Sequence, residues 1–340
     1  AHFVRPSDPI DEEARRRGST IYMPDGKIPM VPACLSDDLC SLKAGERRPA
    51  ITTFVTLTPD ARLLGYEIVP SIIRVSHQRT YYDVNQMVET DPGIQALYAL
   101  AQAFRQQRLD KGAVMISLPE VNIWLDEAGI PQVNRVDRES PGRFLVAEMM
   151  ILANWMAARH LSEKGLAAVF RSQPEPRQRL FNGTEGTLFQ NWMQRRHLSR
   201  FVLNTSAEPH IGLGLDAYVT ATSPIRKYFD LVTQRQLRAT LGLERSYTET
   251  EMDRIIQELE RPMSSVGQVQ FRRQRYWLLK HLETLTGSRT EALVLAKRRN
   301  SYQVLLKEYL IEADLPQPHA SQLKPEDLIQ VTFQHINAVS

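Results

Sequence analysis

The chain has 340 residues, of which 42% are hydrophobic and 24% are charged, and its net charge is +3. These values are typical of a globular protein whose length accommodates one large domain plus a small one, or two domains of middling size. Because the net charge is small, any binding of nucleic acid must come from local basic clusters.

The cellular compartment and the start of the chain are predicted from features that the sequence lacks. Its two cysteines argue against a disulfide framework and favour a reducing compartment. No apolar run reaches membrane-spanning length and no signal peptide opens the chain, so we expect a cytoplasmic protein with no membrane partner, and a monomer. The opening "AHFVRPSDPID" has no initiator methionine and reads as mid-strand, which predicts that the chain starts inside a domain.

Hydrophobic spacing and turn residues predict an α+β fold. The predicted elements of residues 1–287 are, in chain order, a short helix closed by Gly18, a hairpin of Thr52–Leu57 and Leu64–Val75, a helix ending at Gly112, a β pair turning at Glu127–Gly129, a core helix over Gly142–Gly165, and two helices over Thr248–Glu283 interrupted near Pro262. From Ser288 the pattern changes to short strands, typical of a small oligonucleotide-binding β-barrel. We therefore predict two domains, 1–287 and 288–340.

One basic segment stands at a predicted helix start. Ser223 followed by Pro224 indicates an N-cap with proline in the first helical position, which places Arg226 and Lys227 in the first turn. The helix dipole is already positive there, so the two cations are unfavourable by about 0.3–1 kcal/mol. They are either solvated surface charges or, with the free N–H groups, a site for an anion such as phosphate. Spacing alone leaves both readings open.

A second basic cluster lies in "QFRRQRYWLLK", where Arg272, Arg273 and Arg275 alternate with aromatic residues. Such a segment can follow a nucleic-acid backbone while bases stack on the aromatics. On spacing alone the favoured alternative is an amphipathic helix with buried aromatics and solvated arginines. By contrast, the basic run Arg15–Arg17 complements the dipole at a helix C-terminus and indicates no function.

Common catalytic motifs are missing from the sequence. It contains no GxxxxGK[ST] phosphate loop, no GxGxxG, no HExxH and no GxSxG. Asp37 and Asp38 come closest to a metal site, but a role in capping the following turn is the favoured reading.

Three segments together resemble a known family. "IPMVPACLSDDLCSLKAGERRPA", "AEMMILANWMAA" and "YVTATSPIRKYFDLVTQRQL" are similar, in that order, to signature blocks of the RNB catalytic domain of the ribonuclease II and ribonuclease R family. The resemblance covers residues 1–287, and the remainder resembles the S1-type RNA-binding barrel that often follows. It implies processive 3′→5′ hydrolysis of single-stranded RNA to 5′-mononucleotides with Mg²⁺ as cofactor, by a two-metal mechanism.

The resemblance also implies roles for individual residues. Arg226 matches the arginine that contacts the scissile phosphate, and Tyr22 matches the tyrosine that packs on the 3′-terminal nucleotide. Tyr82 and Glu148 match residues that contact ribose 2′-hydroxyls, which predicts that the Glu148 carboxylate faces a channel. The further residues expected to bind RNA are Ser223, Lys227, Tyr228, Arg272, Arg273 and Arg275.

The metal ligands of this family form a D-x-D-D-type cluster that the sequence does not contain. The cluster is expected upstream of Ala1, and neither Asp8 nor Asp11 matches it. Three explanations stay open: the chain is a fragment, it is a relative that only binds RNA, or unrecognised residues hold the metals. The first is favoured because the chain starts mid-motif.

Overall fold

The computed structural model describes residues 1–316 and 322–338 and confirms the mixed α+β fold. Its helices are α1 Pro9–Arg17, α2 Tyr81–Met87, α3 Pro92–Asp110, α4 Pro141–Glu163, α5 Leu188–His197, α6 Tyr228–Thr240 and α7 Glu249–Glu283. Its strands are β1 Ile21–Met23, β2 Gly26–Ile28, β3 Arg47–Leu57, β4 Leu63–Arg74, β5 Glu120–Leu125, β6 Pro131–Val136, β7 Phe170–Ser172, β8 Val202–Asn204, β9 Arg289–Lys297, β10 Ser301–Leu306, β11 Ile311–Pro316 and β12 Leu328–Thr332.

The sheets of residues 1–287 are antiparallel two-stranded ribbons laid on helices. The pairs are β1–β2, β3–β4, β5–β6 and β7–β8. Strands β3 and β4 pair from Arg47 opposite Arg74 to Leu57 opposite Leu63, which confirms the predicted first hairpin. The second predicted pair, β5–β6, is also confirmed. The core helix α4 packs against α2, α3, α6 and the β3–β4 ribbon, with Met156 and Leu161 fully buried.

Helix α1 ends where its C-terminal glycine predicts. Asp8 caps its first turn by accepting a hydrogen bond from the Asp11 N–H at 2.7 Å. Gly18 has φ +68°, and a Cβ there would lie 3.3 Å from the Pro262 Cβ and 3.3 Å from the Met263 Sδ. Glycine is therefore required both by the backbone conformation and by the close approach of α7.

Pro262 does not break the final helix, so the prediction of two helices was wrong. Helix α7 is continuous for 35 residues with Pro262 inside it. A proline removes one hydrogen bond and crowds the preceding turn. Packing on both sides of the site outweighs this cost, because Leu259 and Val266 are buried and Pro262 itself lies against Gly18.

The short strands predicted after Ser288 form a four-stranded antiparallel sheet in the order β11–β10–β9–β12. The structure shows this sheet, whereas closure into an S1-type barrel stays a prediction. The end of α7 shares a core with the sheet through Leu278 and Leu282, which pack with Tyr302 and Val304. The boundary predicted at 287 therefore follows the chain's change of pattern, while one hydrophobic core continues across it.

None of the helices in residues 1–316 and 322–338 combines the length and apolar character that a bilayer crossing needs.

Candidate functional site

The basic segment at residues 223–227 is a tight turn that precedes helix α6, not its first helical turn. The Ser223 carbonyl accepts hydrogen bonds from the N–H groups of Arg226 and Lys227 at 3.1 and 3.0 Å. Lys227 is the extended N-cap residue, with φ −142° and ψ 123°, and α6 begins at Tyr228. The predicted N-cap at Ser223 was therefore wrong, because the extended residue Lys227 separates the turn from the first residue of the helix.

That extended residue pairs with the chain that leaves α1. Ser19 and Lys227 form an antiparallel bridge, and the Arg226 carbonyl accepts from the Thr20 N–H at 3.0 Å and from the Ser19 Oγ at 2.8 Å. Tyr22 follows two residues after Thr20, on β1. The two predicted catalytic residues, 204 positions apart in sequence, are thereby carried by adjoining backbone segments. Both are solvent-accessible, Tyr22 at 48% exposure and Arg226 as an exposed residue.

Buried polar groups hold the turn from below. Asp230 accepts from the Ser223 N–H at 2.8 Å, and burial raises the pKa of its carboxyl group. Asn154 of α4 accepts from the Ala221 N–H at 2.9 Å and donates to the Tyr218 hydroxyl at 3.0 Å. Asn154, a polar residue inside the core helix, therefore positions the chain that enters the turn.

Two residues predicted to bind RNA are buried instead, which corrects the sequence interpretation. Ser223 is 5% exposed and Tyr228 is 2% exposed, so neither offers a side-chain surface to a ligand. The Tyr228 hydroxyl donates to Asp11 at 2.9 Å, and Arg235 donates to the same oxygen at 2.8 Å. Burial, followed by the charge of Asp11, raises the pKa of Tyr228. These groups anchor α6 to α1.

Tyr82 is accessible and Glu148 is not. Tyr82 lies on α2 with 71% of its surface exposed, which excludes a core role for its ring. Glu148 is 1% exposed, and its two oxygens each accept from Arg108 Nη2 at 2.7 Å. Arg105 Nε also donates to it at 2.8 Å. The prediction that this carboxylate faces a channel was therefore wrong, since two guanidinium groups already saturate it.

The basic cluster of α7 divides into one paired and two unpaired arginines. Arg273 Nε lies 3.0 Å from both carboxylate oxygens of Asp25, in the turn between β1 and β2, and this bond lowers the pKa of Asp25. The Arg273 guanidinium also stacks 5.1 Å from the Trp277 ring. Arg272 and Arg275 are exposed and form no ion pair with any residue that the structure describes. Arg273 thus braces the hairpin that carries Tyr22, while the other two stay available.

His210, which packs against Tyr218, has a pKa well below the ordinary value of a histidine. Its ring is 6% exposed and packs edge-on against Tyr218, with centroids 5.5 Å apart. Burial and, to a smaller extent, the charge of Arg171 lower its pKa to about 4. His210 is consequently neutral at physiological pH.

The donor set for a divalent metal does not occur among residues 1–316 and 322–338. No three histidine, cysteine or acidic side chains there come together as a metal would require. Asp37 and Asp38 are separately paired, with Lys27 at 2.8 Å and Lys43 at 2.7 Å. The described residues therefore do not fit the two-metal centre that the sequence resemblance implies.

Sequence reasoning missed the partners of the polar residues that it singled out. Arg105 and Arg108 on α3, which neutralise Glu148, and Asp25, which binds Arg273, were not identified. A buried glutamate in a core helix does signal that cations lie nearby, because an unpaired buried charge is costly. Nothing in the sequence indicates which of the 42 basic residues supply them.

Comparison with known proteins gives consistent relatives. A ribonuclease of Synechocystis, described as uncharacterized, is 32% identical over 289 residues, covering 82% of this chain and 43% of that protein. Ribonuclease R of Chlamydia trachomatis is 28% identical and covers 95% of this chain and 53% of that protein. The chain thus spans about half the length of these curated relatives.

Solved structures agree on the fold. Mycoplasma genitalium RNase R, in complex with ribose-methylated single-stranded RNA, matches with a TM-score of 0.85 and 19% identity, covering 100% of this chain and 64% of that one. Yeast Ssd1, described as a pseudonuclease, matches with a TM-score of 0.76 and 19% identity, covering 92% of this chain and 44% of that one. The family model described as "RNB domain" matches residues 1–242. The chain belongs to the RNB domain family.

Proposed function

We propose that this chain is the RNA-gripping part of a 3′→5′ exoribonuclease that degrades single-stranded RNA processively to 5′-mononucleotides. The observation that carries the proposal is the clamp between residues 18–20 and 226–228, in a chain whose family model covers residues 1–242. It sets an exposed tyrosine and an exposed arginine on neighbouring backbone.

The chemistry of these two side chains suits the end of an RNA strand. Arginine presents a planar, always charged fork that binds a phosphate through two hydrogen bonds. An accessible tyrosine ring can stack on the terminal base. We assign phosphate contact to Arg226 with support from Lys227, 3′-end contact to Tyr22, and ribose contact to Tyr82.

Magnesium belongs to this proposal as the cofactor, with its ligands outside the residues described above. Nucleases of the RNB family generally depend on divalent metals. Because the donor set is missing from the described residues, the roles assigned to this chain are binding and positioning of the RNA. We propose that the acidic ligands precede Ala1.

A non-catalytic RNA-binding protein on the same scaffold is the second candidate. It is favoured by the same missing donor set, and a pseudonuclease is among the proteins of similar fold. The two candidates differ in whether the longer gene product cleaves RNA at all.

The deciding experiment uses 5′-labelled single-stranded RNA, with Mg²⁺ or with EDTA, on this chain and on the full gene product. Conversion of the full-length RNA to a short 5′-labelled limit product with few intermediates, abolished by EDTA, supports the processive 3′→5′ exoribonuclease. Binding without cleavage by the full product establishes the second candidate instead. No RNA binding by either protein would refute both.

Substitution of Arg226 then tests the site itself. Arg226→Ala in the full product should lower turnover by about 10²–10³-fold, because a preorganised group that stabilises developing charge is lost. RNA affinity should change only a few-fold. Arg62→Ala, at an exposed arginine in the β3–β4 turn, is the matched control and should leave both quantities unchanged. Unaltered turnover in Arg226→Ala would remove this residue from the site.

A further inference from the structure

The middle of helix α7 is an unusual surface in composition. Residues 261–275 contain four arginines and no acidic residue, whereas the preceding part of the same helix, 249–260, is acidic. Within the basic part, Phe271 is 66% exposed although it lies in the interior of a long helix. Phe271 is therefore not a core residue. The alternative of an amphipathic helix with buried aromatics, which the sequence favoured, does not explain why this ring is exposed.

Helical geometry places Phe271 beside the unpaired arginines. Positions three and four apart share one face of a helix, so Gln268, Phe271, Arg272 and Arg275 form one exposed face. The opposite face does the packing, through buried Val266 and through Arg273, which binds Asp25. An aromatic ring and two free guanidinium groups thus point away from the brace that holds the β1–β2 hairpin.

This face continues towards the C-terminal sheet. Arg275 borders a cleft of about 1210 Å³ whose other side includes Gln303 and Gln330 of that sheet. Gln274 borders a second groove of about 490 Å³ with Tyr309. An extended ligand on Phe271 would therefore meet open clefts of mixed polar and apolar lining in the direction of the sheet.

We propose that Phe271 is a stacking platform for a base of single-stranded RNA, and that Arg272 and Arg275 hold the phosphates on either side. Charge complementarity selects the occupant: residues 261–275 are cationic, contain no acidic residue and present an exposed aromatic ring, which suits a polyanion with accessible base faces. A protein partner of acidic character is the competing occupant. The proposal deepens the function proposed above and rests on the chain binding RNA, though not on its cleaving RNA.

The test measures equilibrium binding of this chain to a fluorescent single-stranded RNA of about 16 nucleotides, the upper site size of one oligonucleotide-binding fold. Phe271→Ala should weaken binding by about 5- to 150-fold, the value expected for one base stacked on one aromatic ring. Phe54→Ala is the matched control, because Phe54 is also exposed, at 59%, on strand β3. Phe271→Trp should restore binding.

Two further readouts separate stacking from charge. RNA carrying 2-aminopurine should be quenched on binding to the wild type and less quenched on binding to Phe271→Ala. The double substitution Arg272→Ala/Arg275→Ala should lower the slope of log K against log salt by about 1.4, since each phosphate contact contributes about 0.7 for single strands. Phe271→Ala should leave the slope unchanged.

The outcomes are distinct. If the wild type binds RNA and Phe271→Ala binds as tightly as Phe54→Ala, the platform is refuted while the RNA-binding function stands. If the wild type binds acidic peptides in preference to RNA, the occupant is a protein and the proposal is wrong. If the wild type binds no RNA, this inference and the proposed function fail together.

Discussion

Substitution of Glu148 can distinguish its structural role as a partner of two arginines from the RNA contact that the sequence predicted. Its carboxylate is 1% exposed and lies between two guanidinium groups, with three hydrogen bonds of 2.7–2.8 Å. The substitution Glu148→Gln keeps the volume and removes the charge. Arg108 then keeps its bond to the Leu213 carbonyl at 3.1 Å and faces at most one neutral amide oxygen, with no carboxylate partner.

The expected loss follows from this geometry. Removing one member of a buried ion pair costs about 3–5 kcal/mol, because the remaining charge stays buried without compensation. Arg105 also binds Glu139 and keeps a partner, which places the expected value near the lower limit, about 3 kcal/mol. Glu139→Gln is the control: Glu139 is 35% exposed, and its loss should cost at most about 1 kcal/mol.

Urea unfolding followed by tryptophan fluorescence measures this difference, since Trp155 lies on the same helix as Glu148. The double substitution Glu148→Gln/Arg108→Met should regain part of the loss, because it removes both charges together. Stability of Glu148→Gln within 1 kcal/mol of the wild type, together with reduced preference for RNA over DNA, would refute the structural role. It would restore the ribose contact predicted from sequence.

Two further predictions concern the fold around the site. Gly18→Ala should destabilise the protein more than Gly183→Ala in thermal unfolding. Both glycines have φ +68°, but only a Cβ at position 18 would lie 3.3 Å from the Pro262 Cβ. Equal losses of stability would show that this contact is unimportant. The second prediction concerns His210, whose pKa in the folded protein is about 4, below the ordinary 6.5. Between these two values the unfolded chain binds a proton that the folded protein does not. The free energy of unfolding should therefore fall as the pH drops from 6.5 towards 4, by up to about 1.4 kcal/mol per pH unit. His210→Phe should flatten this dependence, and parallel curves for the two proteins would contradict the assignment.

Local patterns predicted the elements well and their partners poorly. Gly18, the β3–β4 turn and the apolar spacing of α4 each depend on a few neighbouring residues, and those predictions were confirmed. Pro262 was misjudged because its local penalty is outweighed by packing against Gly18, 244 positions earlier in the chain. Tyr228 was misjudged because its position in a basic motif does not indicate that its hydroxyl meets Asp11.

The helix start before Tyr228 shows the same limit more sharply. Ser-Pro is a strong local signal for an N-cap, and local sequence alone would place the start of the helix at Pro224. In the folded chain, the Tyr228 N–H donates to the Gly18 carbonyl at 2.9 Å, and Lys227 remains extended to pair with Ser19. A long-range backbone pairing replaces the local cap, and the turn that results exposes Arg226.

The continuity of α7 fixes how the contacts along it are arranged. At 1.5 Å per residue, its 35 residues span about 52 Å. Near its middle the helix packs on Gly18 through Pro262, further along Arg273 binds the turn of the Tyr22 hairpin, and the C-terminal end is buried in the core of the C-terminal sheet. Had the helix broken at Pro262, the part before it, which packs with α1 through Leu259, could move relative to the part that holds the hairpin and the sheet. Because it does not break, the Tyr22 hairpin, the Phe271 face and the sheet lie along one continuous helix, an arrangement that suits the proposed binding of an extended RNA strand.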